Sequence, residues 1–199
     1  GILTCLHNSD LLMSAGYDDD QITFMHSGIH NVDFIERGVF FHYRGGTNWD
    51  YGMDIVRVNA SSDMYVTGLY QNSATFGPTT LTSVGASDVF TARIDLNGNW
   101  LWAKSGGGNG YDYGNSVISD NTGCYSTGSF SANAMFGTTT LSGPGDEIYV
   151  THYDAIGNLL WAVSAGGSGT ADNSVAIGAD GTGREFITGT YTNTASFGA

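Results

Sequence analysis

The chain has 199 residues, 41% of them hydrophobic and 13% aromatic, enough for a packed core and too apolar for a disordered segment. Acids outnumber bases 19 to 6, sixteen of the acids are Asp, and the formal net charge is −13. Nucleic acids and anionic membranes are held by Lys and Arg, so this balance speaks against both as partners.

Thirty glycines against two prolines mark many tight turns between strands. No apolar run reaches the length of a membrane-spanning helix. Gly1 is not followed by a basic and then apolar leader, so any targeting signal is expected to have been removed or to lie outside this sequence. Cys5 and Cys124 do not make a disulfide framework, and their spacing leaves open whether they pair.

In chain order, residues 1–46 read as an irregular or shortened unit. Ile2–Leu6 and Asp10–Gly16 are similar to a later hairpin, and Gln21–Phe24 and Val39–Tyr43 are strand candidates. Residues 47–104 hold four expected strands, around Ile55-Val56, Tyr65–Gly68, Asp88–Ile94 and Trp100–Trp102. Residues 105–163 repeat them at Asn115–Ser119, Cys124–Phe130, Glu147–Tyr153 and Leu159–Val163. A polar loop is expected after Phe130, and Gly106-Gly107-Gly108 reads as a turn. Residues 164–199 read as the first half of a further unit.

The period is explicit in three copies of one segment that start 60 and 61 residues apart: Thr67–Gly77, Thr127–Gly137 and Thr188–Gly198. Each opens on Thr-Gly and closes on Phe-Gly. A fixed period of this size means a repeat architecture. Glu147–Tyr153 is apolar on both faces, as a strand between stacked sheets is. Four short strands per period, no helical periodicity and doubly covered strands predict an all-β β-propeller of four-stranded blades. It is expected to be either a small four-bladed ring sharing one blade between its termini or a slice of a longer propeller.

Asp95–Asn99 and Asp154–Asn158 share the hairpin pattern Asp-x-x-Gly-Asn ahead of Trp102 and Trp161. Taken with the following Gly-Gly, the Asp112–Asn115 segment and the Tyr-x-Thr-Gly-x-Phe…Phe-Gly run, this unit resembles the bacterial SBBP β-propeller repeat. The resemblance covers roughly residues 45–199 and is strongest over 95–165. It implies a secreted or cell-surface protein, often of Bacteroidetes. That family carries no shared catalytic activity, so the resemblance brings no active site.

Enzyme patterns are weak. His26 and His30 have helix-type ligand spacing in a region with no expected helix, and there is no nucleophile elbow or phosphate-binding loop. Asp95, Asn97 and Asn99 alternate as calcium ligands do, but Ile156 replaces the middle one in the next copy; calcium stays a minor alternative to a structural turn, one that also resembles the Asp-box of sialidases. Trp102 and Trp161 are expected in the core.

The recurrent candidates are Asp50, Asp112 and Asp172, each in the connection into a new first strand, beside Trp49 and Tyr51 or Tyr111 and Tyr113. In a propeller those connections gather on one face, where carboxylates and aromatics can meet a cation, a glycan or a basic peptide. The simpler reading is that each Asp caps its turn. The expected function is a non-enzymatic extracellular scaffold or adhesion module whose partner is a surface protein or glycan. The alternatives are a glycan-binding or glycan-cleaving propeller and a plain structural spacer.

Overall fold

A computed structural model describes residues 50–58, 61–167 and 171–196 in full, together with the backbone of four earlier strands. Those four are β1 (Leu3–Cys5), β2 (Met13–Ala15), β3 (Gln21–His26) and β4 (Val39–Arg44), paired antiparallel as β1 with β2 and β3 with β4. The described residues are all-β, without a helix.

Two four-stranded antiparallel units follow. The first orders β5 (Tyr51–Arg57), β6 (Met64–Tyr70), β9 (Asp88–Ile94) and β10 (Trp100–Gly107), with the hairpin β7 (Ser73–Phe76) and β8 (Thr79–Thr82) inserted between β6 and β9. The second orders β11 (Tyr113–Ser119), β12 (Gly123–Phe136), β13 (Thr139–Asp154) and β14 (Leu159–Gly167). A third begins with β15 (Asn173–Ala179) and β16 (Glu185–Thr190), followed by the short β17 (Ala195–Ser196).

The repeated segment has a local physical cause. Thr67 and Thr127 are fully buried, and each Oγ1 donates to a carbonyl of the adjacent third strand, Phe90 O at 2.9 Å and Tyr149 O at 2.7 Å. The next residue must be glycine because an added Cβ on Gly68 or Gly128 would strike the carbonyl of Tyr51 or Tyr113. A β-bulge recurs opposite this pair in all three units, between Gly52 and Asp54, Gly114 and Ser116, and Ser174 and Ala176. The closing Phe76 and Phe136 fold back into the core, ring to ring with Phe90 at 4.9 Å and Tyr149 at 4.6 Å.

The core lies on both faces of the sheets. All seven residues of β6 are buried. Met64, Val66, Phe76, Phe90 and Ile94 pack within the first unit, while Tyr65 and Trp102 pack against Val117, Cys124 and Tyr153 of the second. Trp102 lies between Tyr65 and Tyr153 and donates Nε1–H to Ala155 O at 3.1 Å. Arg93 donates to the same carbonyl at 2.6 Å and pairs with Asp63. The Asp154–Asn158 turn is thus the piece of the second unit that the first unit grips. First strands also meet side by side: Ser116 Oγ donates to Asp54 Oδ2 at 2.7 Å, and Asn115 Nδ2 donates to Ser174 O at 2.6 Å.

Three expectations need correction. The stretch after Phe130 is not a loop: β12 runs on to Phe136 and pairs with the start of β13, past an irregularity between Ser131 and Asn133 where Ala132 takes φ +62°. Gly106 and Gly107 are not a turn but the end of β10, where they pair with Phe136 and Met135. Hence the outer hairpin of the second unit reaches back to the fourth strand of the first; Gly166 and Gly167 pair likewise with Ser196 and Ala195 of the third. Trp102 is core, but Trp161 is 38% exposed, since no turn covers it among the described residues. Short polar segments are extended here because a neighbouring backbone supplies their hydrogen bonds, a nonlocal cause.

Candidate functional site

The connections that carry Asp50, Asp112 and Asp172 are built alike. Asp112 Oδ2 accepts from Gly108 N at 2.6 Å and Oδ1 from Ser131 N at 2.9 Å, and its own N–H donates to Ser87 O at 3.0 Å. Asp172 repeats the set with Gly167 N at 3.1 Å, Thr192 N at 2.8 Å and Asp146 O at 3.0 Å. Asp50 Oδ1 accepts from Gln71 N at 3.1 Å. Asp112 and Asp172 are more than local caps, because their amide partners sit at the end of the preceding fourth strand and two residues past the first-strand pairing of the following second strand. Charge-assisted bonds of this kind are about twice as strong as neutral ones. Asp suits this position because its carboxylate is short and offers two acceptor atoms to amides on opposite sides.

Asp112 and Asp172 are fully buried. Burial pushes the Asp112 carboxyl up to about 6 against the opposing pull of the Gly108 and Ser131 amides, with Asp88 and Asp146 adding to the rise. The solvent-facing part of this region is aromatic. Tyr111 is 55% exposed, Tyr113 is 37% exposed, and their rings stack within 13° at 6.5 Å between centroids. Burial and the neighbouring Tyr111 raise the Tyr113 phenol, so its hydroxyl stays a protonated donor at neutral pH. Ser131 Oγ fixes the loop by donating to Asp146 Oδ1 at 2.6 Å while lying 3.1 Å from Tyr111 O. Tyr51 is half-buried at the corresponding position, and Trp49 lies outside the described residues. The structure therefore brings Tyr111 and Tyr113 together at the surface, with Asp112 buried between them in the chain.

Two acids escaped the reading of the sequence. Asp88 and Glu147 sit at the start of the buried third-strand runs and are 1% and 4% exposed. Asp88 accepts from Val84 N at 3.1 Å and from Gly85 N at 3.4 Å. The signal existed, since both precede an apolar run at the same repeat position. An acid at the start of a strand, however, ordinarily faces solvent.

The Asp-x-x-Gly-Asn turns close on themselves. Asp95 Oδ1 accepts from Asn97 N and Asn99 N, both at 2.8 Å, and Oδ2 from Asn99 Nδ2 at 2.9 Å. Asp154 does the same with Ile156 and Asn158. Among the described residues no group of three or more His, Cys, Asp or Glu is placed to hold a metal ion. His26 lies in β3, where ligand spacing for a helix does not apply, and His30 is outside the described residues. The chain matches no known family model, and no curated protein is detectably similar to it in sequence.

Proposed function

We propose that this chain is a β-propeller module of a secreted or cell-surface protein, acting without catalysis as a scaffold or adhesion unit. The propeller reading is supported by two four-stranded units in the same strand order, with neighbouring first strands bonded side chain to side chain. The interaction reading rests on one observation: the exposed, stacked Tyr111 and Tyr113 on a loop that the buried Asp112 holds rigid. Rigid aromatics lose little entropy on binding, and tyrosine is enriched in interface anchors. With a net charge of −13, the matching partner is a protein with a basic surface.

The test is surface plasmon resonance of the full chain against a lysine-rich peptide at low and high salt, with wild type and the variant Tyr111→Ala/Tyr113→Ala. Affinity that falls with salt and drops about tenfold in the variant, or 1.4 kcal/mol, is expected. Binding that is absent, or equal in the variant, overturns the reading. A second reading, glycan binding, is favoured by the same tyrosine pair, whose faces suit a sugar ring. It predicts binding on a glycan array that survives high salt and is lost in the same variant.

A further inference from the structure

The joints between units bring buried carboxyls together in pairs. At the first joint, Asp88 and Asp112 converge on Gly107; a Cβ there would lie 2.6 Å from Asp112 Oδ2 and 3.0 Å from Asp88 Oδ1. At the second, Glu147 and Asp172 converge on Gly166, where a Cβ would meet Glu147 Oε2 and lie 2.8 Å from Asp172 Oδ2. Both glycines hold nearly the same backbone, φ +155° and +153°. All four carboxyls are at least nine-tenths buried. The two ion pairs of the described residues, Arg93 with Asp63 and Arg184 with Asp180, lie elsewhere. Lys104, the one lysine of the chain, has its side chain against the Gly157 turn.

Two carboxylates buried together without a cation are costly to ionise at once. Backbone amides offset part of this but leave one oxygen unmet. Asp88, Asp112 and Asp172 each accept from two backbone amides, and the Gly145 and Gly167 amides bond Glu147 as well, but Glu147 Oε1 is buried and has no hydrogen-bond partner. An orphan oxygen on an acid facing another acid is the position a proton occupies.

We propose that the paired carboxyls make each joint an acid-tightened clasp: in mildly acidic medium one carboxyl of each pair is protonated and the units pack closely, and when both ionise the joint loosens. Among the described residues, the other titratable groups that face these acids add no positive charge. Asp146 faces both Asp112 and Glu147, Tyr70 faces Asp88, and Tyr113 and Tyr149 face Asp112. Burial raises Asp88 and Glu147 as well as Asp112, and Asp172 raises Glu147 further. For acids raised on folding, the folded state holds the proton more tightly than the unfolded one. Their stabilisation is complete below the ordinary carboxylate value of about 4. It is lost as pH rises through the folded value, about 6 for Asp112. The clasp does not depend on what the tyrosines bind, although Asp112 also ties the loop that carries them.

The experiment compares thermal melting of wild type and Glu147→Gln, full chain, at pH 5 and pH 8. Gln imitates the protonated acid, so the variant is expected to melt with wild type at pH 5. At pH 8 it should melt higher by about 2–4 °C for each kcal/mol of relieved repulsion. An equal offset at the two pH values, or a lower melting point at pH 8, overturns the proposal. Infrared spectroscopy of the wild type keeps the proposal testable if the variant does not fold. A carboxylic-acid C=O band at pH 5.5 that vanishes by pH 8 supports the clasp, and its absence at pH 5.5 overturns it.

Discussion

Thr127 shows how much one side chain carries here. Its hydroxyl donates to Tyr149 O at 2.7 Å and lies 2.9 Å from Ser174 Oγ, so it joins second strand to third strand and one unit to the next. Thr127→Val keeps the shape and takes the donor away from the buried Tyr149 O, which costs about 1–3 kcal/mol. Urea unfolding should show stability fall by that amount at unchanged slope, and an unaltered midpoint would mean the hydroxyl contributes nothing. Cys124 makes a second case at this scale: it is buried and free, and burial pushes its thiol far above the usual range. In a Cys5→Ser background it should ignore a thiol reagent until the protein unfolds; prompt labelling of native protein would contradict the packing around it. Thr-Gly and Phe-Gly are legible as repeated letters, and Asp95 and Asp154 as turn formers, because those roles are local. The pairing of Asp88 with Asp112 is not legible: the residues are 24 positions apart in sequence and meet only when a fourth strand delivers Gly107 between them.

Among the elements, the fourth strands present one tryptophan in two settings. Trp102 is 8% exposed and seated on the Asp154–Asn158 turn, whereas Trp161 is 38% exposed beside Tyr125 and His152. Truncation at Trp102 leaves a cavity between two units and is expected to cost about 3–5 kcal/mol. Truncation at Trp161 should cost clearly less. Equal losses in parallel melts of Trp102→Ala and Trp161→Ala would mean the inter-unit contact contributes nothing special. In sequence both tryptophans fall in one class, since their flanking residues match; only the presence of a neighbouring turn separates them. For the same reason the continuation of β12 to Phe136 reads as a loop, its polar residues being paired with β13 and with β10.

At the scale of the molecule, charge and order are both uneven. Nineteen acids face six bases, so the folded chain repels itself. Raising ionic strength from about 0.01 to 0.15 M shortens the screening length from about 30 to 8 Å and should raise the melting temperature; a fall would show that exposed ion pairs outweigh the repulsion. Amide exchange should be slowest in β6, β9, β12 and β13, which are largely buried and paired on both edges, and fastest in β16, which is largely exposed. Rapid exchange in β6 would be incompatible with the core described.

The backward reach of each outer hairpin also bears on how such a chain can lengthen. The two glycines that end one fourth strand are gripped by the next copy's own segment, and the aspartate that ties the loop belongs to that next copy as well. The second and third units therefore each bring the fittings for attachment to their predecessor. A tandem duplication of residues 108–167 would insert a period that docks at both ends without a new contact having to evolve, whereas a break placed within a period would leave one half without its anchor.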